Sequence, residues 1–370
     1  MFKTVKIAFI SLILLASCST DDNGNDTTDA FDRGAMLTNW ADNIIIPSFQ
    51  SFNDFAVNLE EKTTTFTAEP NLSNLAALRV AFNESYIQFQ TVSLFETGPA
   101  ENLNYRLRLN TYPANVSEIQ QKISANEYNL ELPSSFDEQG FPALDYLING
   151  LAETDAEIVT FYTTHEDSPA YKDYLNSLSL SIRNLTIQVL ANWQNTYRDA
   201  FVSNTSSSST GSVDRFTNDY IFYYEKFLRS GKIGIPAGIF TGNPVPGNVE
   251  AFYSESLSKT LYLKSLETVQ NFFIGKHFNS PQTGSSYKLY LETLNAVKNG
   301  EDLDILIDNQ FDAIRNQANA LNPNFVEQIQ ADNNVMLAAF DELQKNVVLQ
   351  KVDMMQALSV SVDYVDSDGD

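Results

Sequence analysis

Four oxygen-bearing side chains are the strongest candidates for chemistry in this sequence: Glu96, Glu101, Tyr112 and Asp145. Carboxylates and a phenolate are hard donors, which suit ferric iron or calcium. Glu96, Glu101 and Asp145 are therefore the predicted metal ligands, with iron or calcium as the cofactors to consider. Because the chain is acidic, such clusters also arise by chance, and solvated surface carboxylates are the competing interpretation.

A second group of charges falls within two helical turns and comprises Glu225, Lys226, Arg229 and Lys232. These residues are predicted to pair across a cleft or to bind an anionic group, and ion pairing at the surface is the alternative. A glycine-rich stretch, 231–238, overlaps them and, with its continuation through 241–244, predicts a long loop. No Gly-Lys-Ser/Thr sequence follows these glycines, so they do not indicate a phosphate-binding loop.

The sequence disfavours a peptidase centre built on histidine. The chain contains only two histidines, His165 and His277, and neither belongs to a His-Glu-x-x-His sequence. No Gly-x-Ser-x-Gly sequence indicates a serine nucleophile. Cys18 is the only cysteine, so the sequence predicts neither a disulfide nor a thiolate metal site.

The elements that must position these side chains are predicted to be almost all helical. Apolar residues recur at intervals of three and four in most of the chain, and the clearest run is Tyr171, Leu175, Leu178, Ile182, Leu185 and Val189. That run predicts the packed seam of a helical bundle. A long helix is also predicted over 249–273. Strand-like alternation is scarce and is confined to 359–365.

The sequence divides into five parts. Residues 1–17 read as a lipoprotein signal peptide, 18–33 as an acidic tether and 366–370 as an acidic tail. Two helical bundles are predicted between them, over 34–205 and 206–365. The serine-rich stretch 203–212 marks the boundary, because such a composition suits a flexible connection.

The first eighteen residues predict a lipid anchor. Lys3 and Lys6 precede a short apolar run, and Leu15-Ala16-Ser17-Cys18 follows it. Cleavage before Cys18 exposes an amine and a thiol for acylation, which would hold the protein at the membrane. Ser19 after the cysteine favours the outer membrane, lipid-anchored, on either the cell surface or the periplasmic face. The net charge of −24 excludes nucleic acid as a partner.

Four short motifs give the sequence a family resemblance. Residues 94–99, 110–113, 140–147 and 229–236, in that order and behind a lipoprotein signal, resemble the imelysin family, also called peptidase M75. The resemblance implies two packed helical bundles with a functional cleft near their junction. The family is named after an insulin-cleaving outer-membrane protein, and some of its members belong to bacterial iron-uptake systems.

The family signature Gly-x-His-x-x-Glu, in which His and Glu could jointly ligate a metal, is altered here. Gly140 retains the glycine, Pro142 stands at the histidine position and Asp145 at the glutamate position. The resemblance makes all three candidates for ligand binding, although proline offers no ligand atom. Two interpretations of Asp145 stay open. It is either a cleft residue that contacts a polar group or metal, or a first-turn carboxylate at the wet edge of a helix, favoured by the helix dipole.

Three functions are compatible with the sequence. The leading hypothesis is a lipoprotein that binds iron or an iron-bearing ligand, without peptidase activity, and partners an outer-membrane uptake receptor. A peptidase of the M75 type is the first alternative, and Pro142 counts against it. A glycan-binding surface lipoprotein is the second, although Trp40 and Trp193 are the only tryptophans and follow no repeat.

Overall fold

Helices form nearly all of the regular structure in the computed structural model, which describes residues 31–254 and 256–363. The α-helices before residue 205 are α1 (Arg33–Asn39), α2 (Ile46–Ala68), α3 (Leu72–Phe89), α4 (Pro99–Asn102), α5 (Tyr105–Asn110), α6 (Val116–Ala125), α7 (Gly140–Asp145), α8 (Asp155–Phe161), α9 (Ser168–Asn192) and α10 (Arg198–Ser203). The prediction of an all-α fold is confirmed.

The second half continues the same architecture. Its α-helices are α11 (Ser212–Phe222), α12 (Ile235–Ala237), α13 (Ser258–Phe273), α14 (Tyr287–Thr293), α15 (Leu303–Ala318), α16 (Phe325–Asp332), α17 (Asn334–Val347) and α18 (Met355–Ala357). Two-residue strands, β1 (Val297–Lys298) and β2 (Glu301–Asp302), pair antiparallel with Val297 opposite Asp302. No helix in the described part of the chain combines the length and apolar character needed to cross a bilayer.

Several helices contain or adjoin segments with the wider π-helical hydrogen-bonding pattern, and two short 3₁₀ segments occur as well. The π-helical segments are Trp40–Ile45, Tyr146–Gly150, Trp193–Tyr197, Tyr223–Gly234 and Val348–Met354, and the 3₁₀ segments are Pro133–Glu138 and Pro246–Asn248. Each π turn adds a residue to the helical repeat, so it shifts which side chains face the core.

The longest helices pack along each other through their apolar faces. In the first half, α2 packs against both α3 and α9, and in the second half α15 packs against α17. Every residue of the predicted α9 seam is buried, which confirms that seam. Each such aliphatic side chain stabilises the fold by about 1.5–3 kcal/mol relative to an exposed position.

Aromatic rings join elements from both halves of the chain. Trp40 lies with its ring centroid 4.9 Å from that of Phe272 in α13 and 4.9 Å from that of Tyr287 in α14. Phe95 likewise lies 5.6 Å from Phe272. The described residues accordingly belong to one compact unit. The division into bundles at residue 205 stays a prediction.

Three local predictions are wrong. The glycine-rich stretch from Gly231 is not a loop at its start, because the helix continues through Gly234 in the π-helical segment. The predicted helix over 249–273 begins only at Ser258, since residues 249–254, 256 and 257 form turns and bends. No strand occurs in the described part of 359–365, which lacks a neighbouring edge to pair with. The connection after α10 is a loop, as predicted.

The chain ends fall largely outside the described residues. Cys18, the predicted signal peptide and the tail 366–370 all lie there. Packing begins within the predicted tether, because the ring of Phe31 stacks on that of Tyr290 with centroids 4.1 Å apart. Arg33 donates to the hydroxyl of the same tyrosine at 2.8 Å. The folded part therefore starts before residue 34.

Candidate functional site

The altered family signature lies on α7, beside a pocket of about 210 Å³. Residues from α7, from the turn before α6 and from the segment after residue 246 form its lining: Tyr112, Pro113, Ala114, Pro142, Asp145, Gly247, Val249, Ala251, Phe252 and Tyr253. The structure thus brings three sequence candidates, Tyr112, Pro142 and Asp145, to one cavity. Most of the wall is apolar or aromatic.

Asp145 is buried, and other residues of the same chain hydrogen-bond to its carboxylate. Its carboxylate accepts hydrogen bonds from the Tyr253 backbone N–H at 2.9 Å, from Asn149 Nδ2 at 2.9 Å and from the Ser254 hydroxyl. Burial raises the pKa of Asp145, and these hydrogen bonds oppose the rise. The interpretation as a first-turn carboxylate at a wet edge is wrong, since Asp145 is the last residue of α7 and is 1% exposed. The carboxylate fastens the 253–254 segment to α7.

Gly140 and Pro142 have structural reasons for their identity. Gly140 has φ +72°, and a Cβ built there would lie 2.2 Å from the carbonyl oxygen of Leu109 in α5. Only glycine combines that backbone conformation with so close an approach. Pro142 is the third residue of α7. The N–H groups in the first turn of a helix have no intrahelical acceptor, so a proline, which lacks an N–H, costs no hydrogen bond at this position.

A buried polar network lies next to this pocket. Lys232, from the end of the long π-helical segment, forms an ion pair with Glu250, and both side chains are at most 3% exposed. Gln90 accepts from Lys232 Nζ at 3.0 Å. Asn110 donates to Glu250 Oε1 at 2.7 Å and accepts from the Tyr86 hydroxyl at 2.5 Å. Each charge therefore has partners, as burial in a low-dielectric interior demands.

Tyr112 lines the α7 pocket and also lies close to Glu250 of this network. Burial raises the pKa of Tyr112 well above its usual range, and the negative charge of Glu250 raises it further. The phenol therefore stays protonated at neutral pH and is available as a hydrogen-bond donor rather than as a phenolate ligand. Its hydroxyl also limits the space at Gly231, where a Cβ would lie 3.0 Å from it.

Glu96 and Glu101 belong to a different and larger pocket, of about 560 Å³. It lies between the start of α5, α11 and the beginning of the long π-helical segment. Its lining consists of Glu96, Thr97, Glu101, Asn104, Arg106, Leu107, Arg215, Asn218, Asp219, Phe222, Lys226, Phe227 and Asp363. The lining combines charged and amide side chains with one leucine and two phenylalanine side chains.

Three charged residues of the Glu96 pocket contact one another. Glu96 Oε2 accepts the Arg106 backbone N–H at 2.9 Å, and the Glu96 backbone N–H donates to Asp219 at 3.1 Å. Arg106 pairs with Asp219 at 3.2 Å, and its guanidinium lies 4.6 Å from the Phe227 ring centroid. Burial raises the pKa of Glu96 to about 7, Arg106 opposes the rise and Asp219 adds to it. The other Glu96 oxygen, Oε1, has no hydrogen-bond partner among the described residues.

The rim of this pocket carries the remaining candidates. Glu101 pairs with Arg215 at 3.0 Å, with both side chains about half exposed. Lys226 is exposed and forms no ion pair within the described ranges. Asp145 lies in the other pocket, so it does not join Glu96 and Glu101. Between residues 31 and 363, Glu255 apart, no three side chains of the His, Cys, Asp and Glu types are grouped to hold a metal ion.

The alternative interpretation, in which these charges form ion pairs at the protein surface, is wrong for most of the charged group around residue 229. Glu225 is buried and pairs with Lys351 at 3.1 Å. Arg229 is also buried, where it bonds to Gln344 and lies 5.2 Å from the Phe340 ring centroid. Both belong to the packing of the long π-helical segment against the end of the chain. Only Lys226 of the group reaches a pocket rim.

Neither histidine lies in the two pockets described so far. His165 is in the turn between α8 and α9, where its Nδ1 accepts the Asp167 backbone N–H at 3.1 Å. Its ring stacks on Phe161 with centroids 5.2 Å apart. These contacts give His165 a structural role in the turn before α9. His277 follows α13 in a separate cavity.

The sequence did not predict five residues of the two polar networks described above: Gln90, Asn110, Glu250, Arg106 and Asp219. Glu250 fell within a predicted helix and had no distinguishing neighbour. Arg106 did carry a signal, because a basic residue between the apolar Tyr105 and Leu107 in an acidic chain points to a buried partner. The identity of that partner, Asp219, depends on long-range packing that spacing does not reveal.

Raising the pH should destabilise the protein through Glu96. The folded protein holds the Glu96 proton to a pH of about 7, whereas the ordinary carboxyl pKa is 4.5. Between these values the folded state binds more protons than the unfolded state, so the stability present at low pH is lost as the pH rises, by up to about 3 kcal/mol. Urea unfolding across this range should show a flatter profile for Glu96→Gln than for wild type. Glu61→Gln, on the exposed face of α2, should leave the profile unchanged, and an unaltered profile in Glu96→Gln would contradict the prediction.

Comparison with known proteins places this geometry in a family. The model of the imelysin peptidase M75 family matches residues 45–353. The chain belongs to the imelysin family. Its altered signature at Pro142 and Asp145 is therefore a departure within that family, and the prediction made from the four motifs is confirmed.

Solved structures of imelysin-like proteins share the fold. An imelysin-like protein of Psychrobacter arcticum superposes with a TM-score of 0.70 at 17% identity, covering 90% of this chain and 97% of that one. A proposed iron-regulated protein A precursor of Parabacteroides distasonis gives 0.68 at 18% identity, covering 87% and 95%. The Iron-regulated protein A of Synechococcus elongatus is 23% identical over 164 residues, 40% of this chain. The chain spans about half the length of that curated relative, 46%.

Proposed function

We propose that this imelysin-family chain is the binding component of an iron-acquisition system, with no peptidase activity. Two relatives carry the name iron-regulated protein A, which supports an iron-related role. The observation that carries the proposal is the Glu96 pocket, of about 560 Å³, which has room for an iron-bearing organic ligand rather than a bare ion alone. Iron in this proposal is cargo and not a resident cofactor.

The Glu96 pocket has the chemistry of a binding site. Glu96 Oε1 faces no protein donor, Lys226 supplies a positive charge at the rim, and Phe227 and Leu107 offer apolar wall. A ligand with donor groups, an anionic group and an apolar body is complementary to such a lining. Arg106 is held by Asp219 and by the Phe227 ring, so its position is preorganised.

The α7 pocket supports the absence of peptidase activity. Pro142 has no ligand atom at the histidine position of the signature, and the Asp145 carboxylate is occupied by Tyr253, Asn149 and Ser254. A catalytic zinc needs three protein ligands and an open position for water. The Asp145 oxygens that accept these hydrogen bonds are also not free to orient a water molecule, as a general base of a peptidase must.

Anchoring at the outer membrane completes the proposal. The Leu15-Ala16-Ser17-Cys18 sequence supports lipidation of Cys18. One lipid chain binds membranes weakly and two or three bind them durably, so acylation at both the amine and the thiol would retain the protein. At the membrane it would present its ligand to an uptake receptor.

The test is the iron content of the protein purified from the membranes of its native host and then dialysed. We expect iron to accompany the wild type, and Glu96→Gln to retain about tenfold less, since a charge-assisted hydrogen bond is lost. Glu61→Gln is the matched control and should retain as much as wild type. Asp145→Asn should retain iron too, because its side chain serves the protein's own packing.

Two further outcomes bear on the proposal. Iron-free wild-type protein, or equal iron in wild type and Glu96→Gln, would overturn the binding role of this pocket. Insulin cleavage by the purified protein that is lost with chelator and restored by zinc would favour the M75 peptidase alternative. Retention of the Cys18→Ala variant in the membrane fraction would refute the lipid anchor.

A further inference from the structure

A third cavity, of about 350 Å³, lies between α13, the loop that follows it and the π-helical segment Trp40–Ile45. None of its lining residues lines the α7 pocket or the Glu96 pocket. The function proposed above does not involve this cavity. We name it the α13 pocket and define it by Lys264, Glu267, Asn271, Lys276, His277 and Ser280.

The α13 pocket gathers hydrogen-bond donors that the protein does not use. Among the described residues, the side chains of Asn271, Lys276 and His277 make no hydrogen bond or ion pair. Lys264 pairs with Glu267 at 3.0 Å, and both of these side chains are partly exposed. Unused donors gathered around a cavity are complementary to a ligand that is rich in acceptors.

The charge of this lining is positive, opposite in sign to the net charge of the whole chain. The protein has a formal charge of −24, yet two lysines and one glutamate are the charged residues of this pocket, with a histidine beside them. The acidic surface as a whole repels anions, and a local positive field gives them one favourable place to bind. An oxyanion is the acceptor-rich ligand that this field selects.

The loop that carries Lys276 and His277 is fixed in place. The Phe278 backbone N–H donates to the Asn43 carbonyl at 2.8 Å, and Asn39 Nδ2 donates to the Gly275 carbonyl at 3.2 Å. The loop therefore does not have to be ordered by a ligand, which reduces the entropic cost of binding.

We propose that the α13 pocket binds a small ligand with two or more oxyanion groups, carboxylate or phosphate. Lys276 and Asn271 would each donate to one such group, with His277 beside them and Lys264 as a further cation. A cavity of about 350 Å³ is within the range of small-molecule sites and larger than one phosphate requires. This ligand is independent of the iron role proposed above.

Calorimetric titration of the iron-free mature protein with citrate and, separately, with inorganic phosphate tests the proposal. We expect wild type to bind citrate, and Lys276→Gln to bind it about tenfold more weakly, because a charge-assisted contact is lost. Lys62→Gln, an equal charge change on the exposed face of α2, should bind as wild type does. Thermal melts of both variants check that the fold is retained.

The titrations with citrate and with phosphate identify the class of ligand. Two results would overturn the proposed site. Tighter citrate binding supports a polycarboxylate ligand, and tighter phosphate binding supports a phosphate-bearing one. No binding of either probe by wild type, or equal weakening in Lys276→Gln and Lys62→Gln, would show that the pocket is not an oxyanion site. Since both probes are free of iron, failure here leaves the Glu96 pocket untouched, and the reverse is also true.

Discussion

Replacing Lys232 by methionine should lower the free energy of unfolding by about 3–5 kcal/mol, because the charge of Glu250 would stay buried without its partner. Both side chains are at most 3% exposed, so water cannot replace the lost ammonium group. Urea unfolding followed by circular dichroism measures the change. A loss below about 1 kcal/mol, the size found for exposed pairs, would contradict the burial of this pair.

Two further variants separate charge from packing at this position. Lys345→Met removes an ion pair with Glu342 in which the lysine side chain is 59% exposed, and should cost well under about 1 kcal/mol. The double variant Lys232→Met/Glu250→Met should recover part of the stability lost in Lys232→Met, since no charge is then stranded. If its loss equals the sum of the losses in Lys232→Met and in the single variant Glu250→Met, the pair is uncoupled and the explanation fails.

Gly140→Ala should cost more than about 3 kcal/mol, since two penalties combine. A non-glycine residue at positive φ loses about 1–2 kcal/mol. In addition, the new Cβ would overlap the Leu109 carbonyl oxygen at 2.2 Å, so α5 and α7 must move apart. The expected result is a large fall in unfolding free energy, or a protein that does not fold.

Gly242→Ala is the matched control for Gly140→Ala. Its φ of +73° is nearly that of Gly140, but a Cβ at this position meets nothing within 4 Å. Only the backbone penalty of about 1–2 kcal/mol should appear. Equal losses in the two variants, measured by urea unfolding, would show that the approach of Leu109 to Gly140 is not what excludes a side chain there.

The sequence was most informative where structure depends on near neighbours. The α9 seam followed from apolar spacing along one helix, and the role of Gly140 in its motif agrees with a backbone conformation that glycine permits. The sequence also placed Tyr112 and Asp145 among the candidates, and they share one pocket. It did not reveal that the Asp145 carboxylate is occupied, because Tyr253 and Ser254 are more than a hundred residues away in the chain.

The errors share a physical cause. The residues from Gly231 looked like a loop because glycine disfavours helix, but packing of this segment against α17 overrides that local preference. The partners of Lys232 and Glu96 likewise come from distant segments, Glu250 and Asp219. Local composition contains no information on such pairings.

The buried network around Glu250 restricts how the molecule can open. Gln90 and Asn110 come from the first half of the chain, and Lys232, Glu250 and Ser265 from the second, with Ser265 donating to Gln90 at 2.8 Å. Pulling the halves apart would leave the Lys232–Glu250 pair together but would break its hydrogen bonds to Gln90 and Asn110. A hinge motion between the halves is therefore costly, and we expect a ligand to bind without one. Under the function proposed above, the protein would therefore act as a rigid receptor.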